Sequence, residues 1–267
     1  MQTSLATLAA AIACAAGLAA PASAELVRIP LRPGAELRIA IEPPSGPAAA
    51  YALLFAGGHG KIQLDDGGQP RGLRGNFLIR ARHHLTARGI GVVLVDAPSD
   101  YQGEGGLWPY RMHHDYAGDM GQAVNLVKRR FGRPVWLVGT SAGTLSVANA
   151  AARLSHANRP DGIVFTSSIT RPPRRRPISV FDVHLAAYTG PALVMSHEQD
   201  GCASTPAADA PRLLAALAAA QPKKVLLLTG GAPPRSEPCE AQSQHGFLGI
   251  EAQAMNAIAD FILRLGN

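Results

Sequence analysis

From Glu25 onward the hydrophobic positions of the chain follow two patterns. In "LVRIPLRP" and "ELRIAIEPP" apolar and polar residues alternate around Pro33-Gly34, which predicts an antiparallel pair at a sheet edge. From Tyr51 the alternation stops. "YALLFAGG", "GIGVVLVDAP", "RPVWLVGT", "DGIVFTSS", "PALVMSHEQD" and "KKVLLLTGG" are short, nearly continuous apolar runs, the signature of parallel strands buried on both faces. Helical stretches lie among them, at Asn76 to Arg88, Tyr116 to Phe131, Ala142 to Leu154, Ala207 to Ala219 and Gly249 to Leu265. Strands alternating with helices of this length build right-handed crossovers. Residues 25–267 are therefore expected to form a single α/β domain, with a mostly parallel central sheet and helices on both faces. Ligands of such sheets sit at the carboxyl ends of the strands.

Composition agrees with a folded domain: 47% of the 267 residues are hydrophobic, enough for a sizeable core, and charge is too sparse for extensive disorder. The N-terminus stands apart. Residues 1–24, "MQTSLATLAAAIACAAGLAAPASA", carry no charged side chain, have an apolar middle and end on Ala22-Ser23-Ala24. That is the small-residue ending of a secretory signal peptide, which makes Glu25 the expected mature N-terminus and the periplasm or the exterior the expected location. The segment lacks the Lys or Arg that usually opens a signal, so an uncleaved membrane anchor is the competing reading; the shortness of the apolar run weighs against it. No other segment is long and apolar enough for a bilayer, so no stable membrane insertion is expected after cleavage. Export changes how the cysteines are read. Cys14 would leave with the signal, and Cys202 and Cys239 remain as an even pair where disulfides persist, so a bridge between them is expected. The net charge of +6 belongs wholly to residues after the signal. In an exported protein it is no argument for nucleic acid, and it suits anionic surfaces or substrates.

The candidate chemistry begins in "VWLVGTSAGTLSVANAAARL", Val135 to Leu154, where a strand pattern turns into a helix pattern through Gly139-x-Ser141-x-Gly143. A G-x-S-x-G at such a turn holds the serine oxygen clear of the sheet on a strained backbone, and its glycines let neighbouring backbone pack close. Two further polar groups follow later strands: Asp200 in "HEQDG" and His245 in "QHGFLGIE". A serine hydroxyl is a weak nucleophile at neutral pH and needs a base within hydrogen-bond reach, a task that suits histidine. An acid behind that base orients the imidazole and stabilises its charged form. Glu198 stands close enough to Asp200 to be a second candidate acid.

The motif, its strand-to-helix setting and the order Ser141, Asp200, His245 resemble the α/β-hydrolase superfamily over essentially the whole mature chain. The resemblance implies an α/β-hydrolase fold, a Ser-His-Asp triad working through an acyl-enzyme, and an oxyanion hole. It favours Asp200, because the family's acid lies in the loop leaving the penultimate strand. The Ala142 N–H, one residue past the nucleophile, is the implied first oxyanion donor. The second is implied in "FAGGHGK", where Ala56 stands in place of the family's histidine; Gly58 and His59 are both candidates, with Gly58 preferred. The chain carries no cofactor fingerprint, and hydrolysis of a carboxylic ester in a small acyl substrate, without cofactor, is the expected activity. A peptidase, amidase or thioesterase would use the same residues, and a binding protein that kept the fold without turnover is the alternative from another class.

Two clusters stand outside this constellation. His113, His114 and Asp115, considered with His59, carry metal-ligating groups but no metal-site spacing; they are read as a solvated helix start, and no metal is expected. Arg171, Arg174, Arg175 and Arg176 fall in "TRPPRRRP", on an excursion where the family carries lids. The excursion is too short for a cap domain, so loops alone are expected over the pocket. The arginines are read as solvated surface, while their place over the strand ends leaves an anionic substrate open.

Overall fold

The computed structural model describes residues 24–265, so the expected signal peptide lies outside the described residues except for Ala24. β1 (Glu25–Pro30) and β2 (Glu36–Glu42) form the antiparallel pair, with Glu25 opposite Ile41 and Pro30 opposite Glu36. The apolar runs become β3 (Ala50–Phe55), β4 (Ile90–Val95), β5 (Val135–Thr140), β6 (Gly162–Thr166), β7 (Ala192–His197) and β8 (Lys223–Leu228). They join one 8-stranded sheet in the order β1-β2-β4-β3-β5-β6-β7-β8. β2 meets β4 antiparallel, and every pair from β4 and β3 onward is parallel.

β3 to β7 are buried at every position, as continuous apolar runs require when both faces are covered. β8 departs from that expectation. It forms the sheet's edge, Leu227 is exposed, and Lys223 and Lys224 open the strand with charges that suit an edge.

Among the described residues six helices cover the sheet: α1 (Phe77–Ala81), α2 (His83–Thr86), α3 (His114–Phe131), α4 (Gly143–Arg153), α5 (Ala210–Ala216) and α6 (Glu251–Leu263). Side chains alternate along a strand, so Leu53 faces the layer of α3, α4 and α5 while its neighbour Leu54 faces that of α1, α2 and α6. Burying each such leucine contributes roughly 1.5–3 kcal/mol.

The helix expected from Asn76 to Arg88 divides at Arg82, whose guanidinium donates to Ile79 O at 2.6 Å and so competes for a carbonyl that would otherwise continue the helix. α5 is shorter than expected. Residues 207–209 form a tighter 3-10 turn, and Leu217 leaves the helical conformation with ψ 58°. α3 begins earlier than Tyr116, because the His113 side chain caps it by accepting the Asp115 N–H. Between β6 and β7 the chain makes only short turns at Val180–Asp182 and Leu185–Ala187, with Val180 and Leu185 packed into the core. No helix among the described residues is long and apolar enough to cross a membrane.

This topology decides what meets at the carboxyl ends. β5 lies between β3 and β6, with Gly139 opposite Phe55 and Thr140 opposite Thr166. The loop after β3 therefore runs beside the corner that leaves β5.

Candidate active site

Ser141 sits at that corner with φ 52°, in the left-handed region. For a residue with a Cβ this conformation costs roughly 1–2 kcal/mol. Local bonds hold it there: the Ser141 N–H donates to Thr166 O at 3.0 Å, and Ser141 O accepts from Thr144 Oγ1 at 2.6 Å and Thr144 N at 2.9 Å. α4 starts directly behind, so the positive end of its dipole lies beside the serine. Close approach explains two glycines. A Cβ at Gly143 would overlap Phe55 O, and one at Gly57 would come 2.9 Å from Ser141 Cβ.

Asp200 leaves β7 in a turn closed by its N–H on His197 O at 3.0 Å. Its side chain is fully buried. Oδ1 accepts the Cys202 N–H at 2.9 Å; Oδ2 accepts the Thr205 hydroxyl at 2.9 Å and lies 3.0 Å from His245 Nδ1. His245 is buried on a short turn before α6, where its carbonyl accepts from Ser167 Oγ at 2.8 Å and its N–H donates to Ser243 Oγ at 3.2 Å. Glu198, the other candidate acid, is exposed, and it is Asp200 that meets the imidazole.

Ser141 and His245 line one cavity of about 440 Å³, whose walls include Gly57, Gly58, Leu73, Phe77 and Gln242. The N–H groups of Ala142 and of Gly58, the preferred second oxyanion donor, lack an acceptor among the described residues. The His59 N–H also lacks an acceptor among the described residues, but Gly58 lines the cavity and His59 does not; the His59 ring Nδ1 accepts the Lys61 N–H at 3.1 Å, and its carbonyl accepts the Leu107 N–H at 2.9 Å.

Two residues of this site escape a reading of the sequence. Thr205 is buried, and its Oγ1 lies 3.0 Å from His245 Nδ1 as well as bonding Asp200, so it joins the two side chains. No motif marks a threonine ahead of a proline. Asn76 lines the cavity, and its Oδ1 accepts the Leu78 N–H at 3.1 Å. An Asn before an apolar run is legible as a helix start, and that signal says nothing about a cavity.

Cys202 and Cys239 are bridged, with Cα atoms 4.5 Å apart. The bridge ties the loop of Asp200 to the loop of His245. Cys202 N–H bonds Asp200, while Cys239 lines the cavity between Pro238 and Glu240, whose carbonyls accept from Ser243 Oγ, the group that receives the His245 N–H. Opening a link that spans 37 positions should cost about 4 kcal/mol in the chain-entropy description. Cys239→Ser should therefore lower the melting temperature. It should also lower kcat at temperatures where far-UV circular dichroism still shows a folded protein; unchanged turnover there would separate the bridge from the site.

The other clusters stay apart from the cavity wall. Arg171 bonds Asp209 at 3.0 Å, which holds that carboxyl below its usual range. Arg176 stacks over Trp108 at 4.5 Å, and Arg174 and Arg175 are exposed. His113 and His114 are exposed at the start of α3, with His114 Nε2 2.7 Å from Asp115 Oδ1.

The sequence matches no protein-family model and no curated protein. Solved structures match along most of the chain. An esterase from Pyrococcus furiosus is 12% identical with TM-score 0.62, covering 91% of this chain and 93% of its own. A dienelactone hydrolase from Anabaena variabilis is 13% identical with TM-score 0.59, over 90% and 97%. A serine hydrolase without lid from Xanthomonas campestris is 15% identical with TM-score 0.58, over 89% and 96%. The chain has the α/β-hydrolase fold. Within the α/β-hydrolase fold, Ser141 occupies the corner after β5, Asp200 the loop after β7 and His245 the turn before the last helix.

Proposed function

We propose that this protein is a serine hydrolase that cleaves a carboxylic ester of a small, uncharged acyl substrate through an acyl-enzyme on Ser141. One observation carries the reading: a serine on a strained strand-to-helix corner shares a cavity with a buried histidine whose Nδ1 lies 3.0 Å from a fully buried aspartate. Nδ1–H donation to Asp200 leaves Nε2 as the basic nitrogen. As Ser141 Oγ attacks the carbonyl carbon, Nε2 takes its proton, and the oxyanion is met by the N–H groups of Ala142 and Gly58 at the positive end of α4. Collapse of that intermediate breaks the ester bond, and the alcohol leaves with the proton from Nε2. Water, deprotonated by Nε2, then attacks the acyl-enzyme; the acid departs and Ser141 regains its proton.

The wall chemistry supports an uncharged acyl group. Leu73, Phe77 and Ala241 supply apolar surface, Glu240 is acidic, and among the described residues no lysine or arginine lines the cavity. The Cys202–Cys239 bridge supports an oxidising compartment, in keeping with export to the periplasm or beyond. A fluorophosphonate probe tests the chemistry. Peptide mapping should place the adduct on Ser141, and hydrolysis of neutral p-nitrophenyl esters should exceed that of anionic esters, amides and thioesters. A protein that neither labels nor turns over any of them is a binding protein on this fold.

A further inference from the structure

Arg111 is an anomaly. It is 1% exposed, and among the described residues its partners are all neutral. An isolated buried cation is costly unless its environment compensates. Burial pushes its pKa down to about 10, which still leaves it charged at neutral pH. Nη1 donates to Ser146 Oγ at 2.7 Å, Nη2 donates to Ala56 O at 2.8 Å with a longer contact to Gly58 O at 3.4 Å, and Nε has no partner among the described residues.

Both carbonyls belong to the loop that crosses Ser141. A trans peptide sets its C=O and N–H in opposite directions, so a hold on Ala56 O and Gly58 O also orients the N–H groups of Gly57 and His59. Between those two peptides lies the one that carries the Gly58 N–H, and its carbonyl, Gly57 O, accepts from Gly60 N at 3.2 Å. Three consecutive peptides are thereby set, in a glycine-rich stretch whose backbone would otherwise turn easily. Reversal of the middle peptide would present a carbonyl oxygen where an oxyanion donor is needed. Charge-assisted bonds are roughly twice as strong as neutral ones, which suits a guanidinium to this hold.

We propose that Arg111 is a positioning residue that keeps the Gly58 N–H available to the oxyanion formed at Ser141. The inference rests on the reading of Ser141 as nucleophile. Arg111→Lys keeps the cation but replaces a planar fork by a point donor, and Arg111→Met removes the donors. Active sites are counted with a fluorophosphonate taken to completion, and hydrolysis of a neutral p-nitrophenyl ester is expressed per counted site. The expected result is a full count of sites for Arg111→Lys, KM within about twofold of the parent, and kcat per site lower by on the order of 10- to 100-fold, with a larger loss for Arg111→Met. Fewer sites, each with the parent's kcat, would make Arg111 a structural residue and overturn the proposal; so would the absence of folded protein for both variants, or full activity per site. A parent protein that neither labels nor hydrolyses the ester defeats the hydrolase reading itself, an outcome distinct from normal parental activity with indifferent variants.

Discussion

Ser141→Ala should lower kcat for ester hydrolysis by on the order of 10⁶-fold, about 8 kcal/mol of transition-state stabilisation. The residual rate comes from binding and from the oxyanion donors, which the substitution leaves in place. Stability should barely change. Alanine keeps the Cβ and with it the left-handed strain at φ 52°, and the Ser141 hydroxyl has no hydrogen-bond partner among the described residues to lose. Steady-state kinetics with a p-nitrophenyl ester, together with a thermal melt within about 0.5 kcal/mol of the parent, checks both halves. Turnover comparable to the parent would remove Ser141 from the chemistry. A large loss of stability would show that the side chain works by packing.

The second large effect concerns the acid. Asp200 Oδ2 receives both the Thr205 hydroxyl and the His245 Nδ1, while Oδ1 receives the Cys202 N–H. An asparagine offers one accepting oxygen and one donating nitrogen. Wherever the amide nitrogen points, it meets a group that was itself a donor. If it faces Nδ1, the imidazole must carry its proton on Nε2, and the base can no longer accept from Ser141. Asp200→Asn should therefore lower kcat by about 10⁴-fold, the scale seen when a triad histidine is held in the wrong tautomer. Glu198→Gln alters only an exposed side chain and should leave kcat within about twofold. The opposite ranking would transfer the role to Glu198.

The acid shows where a sequence reading stops. Glu198 and Asp200 are two positions apart at the end of an apolar strand; nothing in their spacing separates them, and only the family resemblance favours Asp200. The separation comes from the turn in which Asp200 N bonds His197 O, while His197 is pinned by its ring to Gly230 O at 2.9 Å. Helix ends show the same limit. Arg82 carries no breaking signal, and the division between α1 and α2 depends on where its guanidinium finds a carbonyl.

By itself the sequence determined the strands, the strand-to-helix corner at Ser141 and the order of serine, aspartate and histidine. Apolar runs and glycine spacing are local signals, and in a mostly parallel sheet covered on both faces they suffice to place strands. Tertiary structure decided which groups meet. Thr205 joins Asp200 to His245 across 40 positions, Arg111 reaches Ala56 across 55, and Cys202 reaches Cys239 within one loop pair. These contacts follow from bringing β3, β5 and β7 into one sheet. Hydrogen bonds and charges act over a few ångströms in space, so chain separation alone does not reveal such partners until the sheet has been assembled.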